Sequence, residues 1–109
     1  HSNDTLEFHE IDNEEIIAFS KSDPEAGNVI LTVINLDPHH DQSGWLELPI
    51  DRLGIEPDRP YQMHDLLTGA RFIWHGRRNF VQLDPKHVPV HILRLRRRLR
   101  TEQDFDYFL

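Results

Sequence analysis

The chain is predicted to fold as an all-β protein: a two-sheet antiparallel β-sandwich of about eight strands with an irregular C-terminal tail. Three observations predict this. Apolar residues recur in short alternating or β-branched runs, with little of the periodicity that an amphipathic helix would show. Turn-forming residues separate those runs at short intervals, as at Asp12-Asn13-Glu14, Ser22 to Gly27, Thr68-Gly69 and Gly76. The length, 109 residues, and the hydrophobic fraction, 38%, suit one domain with one modest core. The boundaries that follow are a sandwich over residues 4–95 and a tail over residues 96–109, first basic and then aromatic.

The elements can be justified in chain order. Leu6 to Ile11 alternates apolar and polar residues, as a half-buried strand should. A second strand runs from Glu15 to Lys21 through Ile16, Ile17, Ala18 and Phe19. The strongest element is Asn28 to Leu36, in which Val29, Leu31 and Val33 face one way while Ile30, Thr32, Ile34 and Leu36 face the other. A sandwich strand ordinarily keeps one face wet. This one has two apolar faces, so its second face needs a cover. Trp45 to Ile50 follows, with Leu46, Leu48 and Ile50 on one side and Trp45 on the other. Asp51 is placed to cap a single helical turn over Arg52 to Ile55, and Pro57 and Pro60 stop it from continuing. Tyr61 to Leu66 is the next strand. Ala70 to Trp74 and Asn79 to Asp84 read as a hairpin closed through Gly76. Val88 to Leu95 is the last strand, and Pro89, which lacks an N–H donor, places it at a sheet edge.

Composition excludes several kinds of function. Cysteine is absent, so the chain offers neither a disulfide nor a thiolate nucleophile or ligand. This is compatible with a cytoplasmic protein. No apolar run reaches the ~20 residues of a membrane span, and no secretory leader is recognised. The formal net charge is -7, and Arg94, Arg96, Arg97, Arg98 and Arg100 supply five of only twelve basic residues against nineteen acidic ones. So acidic a body opposes nucleic-acid binding, and the arginine cluster reads as a local patch for an acidic surface or for solvent.

Few residues are candidates for chemistry. In Asn35-Leu36-Asp37-Pro38-His39-His40-Asp41, two adjacent histidines lie between aspartates. Neighbours in an extended chain point apart, and no second ligand pair stands at a zinc-site spacing. The segment therefore reads as a turn ending a buried strand, with no metal ligands. His64 stands beside Asp65, but alternate facing in a strand separates the two, and His75, His87 and His91 sit in or beside strands and read as surface or satisfied histidines. No glycine-rich phosphate loop, no nucleophile motif and no enclosed carboxylate pair is present, so no catalytic residue and no cofactor are assigned. Trp45 and Trp74 are the candidates for stacking on a sugar ring, Trp45 because it is turned away from the apolar side of its strand. Ile30, Ile34 and Leu36, with Phe105, Tyr107 and Phe108 in the tail, are the candidates for an interface.

Several stretches resemble the C-terminal β-domain of the α-amylase family, glycoside hydrolase family 13. Asn28 to His40 resembles its first central strand. Asp65-Leu66-Leu67-Thr68-Gly69, followed by Phe72-Ile73-Trp74, is similar to a hairpin of that domain, and Pro89 to Leu95 is similar to its closing strand. The ending, Arg100 to Leu109, resembles one branch, the maltosyltransferases that extend α-1,4-glucan from maltose 1-phosphate. The resemblance implies an accessory domain whose partner is the catalytic (β/α)8 barrel of a parent chain. A barrel takes about 250 residues, so its nucleophile and acid/base cannot lie here. It leaves α-glucan as a second partner, through an exposed aromatic, and a trehalose synthase-type enzyme as a second parent. Expressed alone, the domain would leave its interface open, and pairing of two copies is one way to cover it.

Overall fold

The computed structural model describes residues 5–23 and 27–96. Eight strands and one short helix occur in the order β1 (Thr5–Phe8), β2 (Ile16–Asp23), β3 (Asn28–Asn35), β4 (Gln42–Glu47), α1 (Ile50–Leu53), β5 (Pro60–Asp65), β6 (Arg71–His75), β7 (Arg78–Leu83) and β8 (Val90–Arg96). Six strands form one antiparallel sheet in the order β1-β2-β3-β8-β5-β6, and β4 pairs with β7 in a second. The all-β, two-sheet expectation is met, with unequal sheets.

The core lies between the sheets. Val29, Leu31 and Val33 of β3, Leu93 and Leu95 of β8, and Tyr61 and Met63 of β5 project inward and are buried. Leu46, Val81 and Leu83 meet them from the small sheet. Each such side chain, taken fully out of water, contributes about 1.5–3 kcal/mol. Ile50, Leu53 and Ile55 plug one end from α1 and the chain just after it. Gly44 has no room for a side chain: a Cβ there would lie 2.7 Å from Asp12 Oδ1, the same atom that accepts the Trp45 N–H.

Four expectations are corrected. First, β6 and β7 do not form a hairpin. β6 pairs with β5 and β7 with β4, so the chain crosses between sheets at Gly76, whose φ is 63°. Asn79 holds this corner: it accepts the His75 N–H and donates to the Tyr61 hydroxyl and the Gly76 carbonyl. Second, β8 is an interior strand, between β3 and β5. Pro89 precedes it, and its carbonyl accepts the Asn35 N–H, so the missing donor falls outside the ladder. Third, Asp51 lies inside α1. The N-cap is Pro49, with no side-chain cap, and the helix ends at Gly54 in the left-handed conformation. Fourth, the apolar side of β1 faces outward. Pairing of Phe8 with Phe19 puts Leu6 and Phe8, 58% and 62% exposed, on the side away from the core.

Candidate functional site

Cross-strand partners point to the same side of a sheet, so the registers assemble the outer face of the six-stranded sheet row by row. One row is Ile17, Ile34 and Val90. The next is Phe8, Phe19, Thr32 and Ile92. The third is Leu6, Lys21, Ile30, Arg94, His64 and Arg71. The face is therefore largely apolar over β1, β2 and β3 and at Val90 and Ile92 of β8, and its cations gather in the third row and in the one beside it, where Arg96, Gln62 and Ile73 pair. Phe8 and Phe19 pack against each other, with ring centroids 5.5 Å apart. Ile30 and Ile34, two of the expected interface residues, lie on this face and are half-buried by their neighbours alone. Leu36, just past β3, is exposed, and its N–H donates to the Glu15 carbonyl. Phe105, Tyr107 and Phe108 lie outside the described residues. Sequence reasoning missed Ile17, Phe8, Phe19, Val90 and Ile92 as parts of this face. Their alternation was visible, but the side it addressed depended on register.

The small sheet has its own outer face: Ser43 opposite Gln82, Trp45 opposite Phe80, and Glu47 opposite Arg78. Trp45 is 45% exposed and meets Phe80 edge-on at 5.4 Å, while the Arg78 guanidinium lies 5.4 Å from the Trp45 ring centre. Trp74 is only 7% exposed and packs inside against Tyr61. The two tryptophans are thus not brought to one surface, and only Trp45 is open to a ligand.

The polar clusters are built for turns. Asp37 Oδ1 accepts the N–H groups of His39 and His40, and its Oδ2 lies 3.0 Å from His40 Nδ1. The backbone hydrogen bond from His39 leads the causes that lower the Asp37 pKa to about 2. Asp84 and His87 repeat the arrangement at 2.6 Å, which lowers the aspartate pKa and raises that of the histidine. Both histidine side chains are largely in solvent. His39 and His40 present rings 6.4 Å apart at 79° to one another. Asp65 differs in being fully buried. It accepts from the Leu67 and Thr68 N–H groups and contacts His91 Nδ1 at 2.9 Å. Burial pushes its pKa up, the hydrogen bonds push it down, and the net direction is down. The His91 ring rests edge-on against Phe72. A further pair, His9 Nε2 and Ser20 Oγ at 2.7 Å, has its serine buried, and burial lowers the histidine pKa. A serine closed to substrate cannot serve as a nucleophile, and the contact satisfies two polar groups under β1.

Comparison with known proteins gives these surfaces their setting. The family model for the C-terminal part of GLGE matches residues 8–95. The chain belongs to that family. This GLGE C-terminal domain is 47% identical over 90 residues to an α-1,4-glucan:maltose-1-phosphate maltosyltransferase of Corynebacterium pseudotuberculosis, covering 83% of this chain and 13% of that protein. It is 34% identical over 108 residues to the enzyme of that name in Myxococcus xanthus, covering 99% of this chain and 16% of that protein. It is also 40% identical over 92 residues to the second such enzyme of Streptomyces coelicolor, covering 84% and 13%. The domain thus spans a small fraction of the relatives it matches. No helix among the described residues is long and apolar enough to cross a membrane.

Proposed function

We propose that this chain is the accessory C-terminal domain of a cytoplasmic maltosyltransferase that extends α-1,4-glucan from maltose 1-phosphate, and that it packs against the enzyme's catalytic (β/α)8 barrel. The observation that carries the reading is the match of the domain to a C-terminal family whose relatives are about six times as long, with 13% and 16% of the length of two of them covered. The barrel and its reacting carboxylates belong to the remainder. The domain's contribution is stability: the apolar rows over β1, β2 and β3 cover apolar surface of the barrel, a role that exposed patches of this kind commonly mark. Ile30, Ile34 and Leu36 belong to that contact.

The test is Ile34→Asp made both in the full-length enzyme and in the isolated domain. In the isolated domain the side chain is already partly wet, and the melting temperature should change little. In the full-length enzyme a carboxylate would be buried against the barrel, and the melting temperature and soluble yield should fall. Equal, small changes in both settings would contradict the reading.

Exposure of Trp45 beside Phe80 favours a second reading, in which the small sheet holds an α-glucan chain against the Trp45 ring. Titration with maltoheptaose, followed by tryptophan fluorescence and by chemical shifts at Trp45 and Phe80, decides it. Saturable shifts support a glucan contact, and silence at millimolar sugar removes it.

A further inference from the structure

The cationic side of the large sheet carries a more specific inference, which rests on the docking reading above. Arg71, Arg94 and Arg96, with Lys21, hold outward register positions of the large sheet, and Asp23 holds another at the β2 end. This concentration occurs in a chain whose formal net charge is -7. Arg71 donates to the Gln62 side-chain carbonyl at 2.9 Å, and Arg94 donates to Asn28 Oδ1 at 3.4 Å. Both acceptors are neutral amides, and none of the three arginines has a carboxylate partner among the described residues. Holding a guanidinium with neutral acceptors fixes its direction and leaves its charge for something else.

We infer that the cationic strip over β8, β5 and β6 docks on an acidic strip of the preceding part of the parent chain, beside the apolar contact made by β1, β2 and β3. Charge complementarity picks the occupant: an apolar surface bordered by carboxylates matches this face in both halves. The apolar rows would supply most of the attraction. The arginines would fix orientation, because a rotated docking would set guanidinium groups against apolar surface and leave carboxylates unpaired.

The experiment uses the full-length enzyme and follows the rate of protease cleavage at the junction before the domain, at low salt and in 0.5 M salt. Wild type, Arg71→Glu/Arg94→Glu and Ile34→Asp are compared, and melting of the isolated domain with the same substitutions reports whether it still folds. The expected result is cleavage about tenfold faster for the double reversal at low salt, faster cleavage of wild type on adding salt, and little salt effect on the double variant. Should Ile34→Asp loosen the junction while wild type is insensitive to salt and the reversal is silent, the docking reading survives and the acidic strip is overturned. Should none of the three treatments change cleavage, both fall. Phenylglyoxal labelling gives a readout independent of any variant. Arg71 and Arg94 should be protected in the full-length enzyme and reactive in the isolated domain. Equal reactivity, or protection gained only on adding anionic vesicles, would overturn the proposal.

Discussion

The two outward faces of this domain are built from the same materials and end differently. On the small sheet, Trp45 and Phe80 are an isolated aromatic pair, ringed by Ser43, Gln82, Glu47 and Arg78. On the large sheet, apolar side chains run through three adjoining rows of β1, β2 and β3, interrupted by Lys21 and Thr32, and Arg94, Arg96 and Arg71 follow across β8, β5 and β6. A lone exposed pair is ordinary for a soluble surface, whereas contiguous rows are not. The difference teaches that continuity across strands, more than the size of any one side chain, is what sets the large-sheet face apart, and it is the ground on which docking is proposed there and not on the small sheet.

Adjacent residues of β3 allow the sharpest break of that comparison. Leu31→Ala should destabilise the isolated domain by about 2–5 kcal/mol in urea unfolding, because it opens a cavity in the core. Ile30→Ala, one residue away on the outer face, should cost about 1 kcal/mol. Similar losses at both positions would mean that the outer face is already packed as a core.

Asp65 follows in size. Asp65→Asn should cost about 2–3 kcal/mol at neutral pH, since a buried charge-assisted contact to His91 and the hold on the turn are both weakened. The folded state lowers the Asp65 pKa. Its stabilisation is therefore complete above the unfolded value of about 3.9 and is lost as pH falls through the folded value. Urea unfolding at stepped pH should show the gap between wild type and variant closing in acid; a gap that widens would reverse the assignment.

On the small sheet the effect should be lesser. Trp45→Ala removes an edge-on aromatic contact from a half-exposed site and should cost about 0.5–1.5 kcal/mol, measured by thermal melting. A larger loss would place Trp45 in the core. The smallest effect concerns the loop after β3. The Asp37 carboxyl should titrate at about 2 in a carbon-detected NMR titration, held down first by the His39 N–H. A value near that of a free aspartate would mean that this turn is open in solution.

Much of the fold was legible because β-branched runs and turn residues act locally. The two apolar sides of Asn28 to Leu36, the exposure of Trp45 and the turn at Asn35 to Asp41 could all be read from alternation and side-chain chemistry. What escaped were choices made between distant strands. The two-residue link at Gly76 and Arg77 has the length of a hairpin loop. Only burial of Trp74 against Tyr61 and of Asn79 at the corner sends β6 and β7 to different sheets. Pro89 suggested an edge because the sequence does not show that β8 begins one residue later. The outward turn of Leu6 and Phe8 depends on pairing with Phe19 and Lys21, which alternation within β1 cannot reveal. Arg94 and Arg96 were legible as part of a basic patch, but the place of Arg71 was not, since it is joined to Arg94 only through His64 between them.

The central claim, that the large-sheet face is covered by the rest of the parent while the small-sheet face is not, is tested most directly by hydroxyl-radical footprinting. The isolated domain and the full-length enzyme would be labelled side by side, reading Phe8 and Phe19 against Trp45 and Phe80. The account predicts that Phe8 and Phe19 become protected in the full-length enzyme while Trp45 and Phe80 react as before. Protection of Trp45 and Phe80, with Phe8 and Phe19 unchanged, would contradict it and exchange the roles of the two faces.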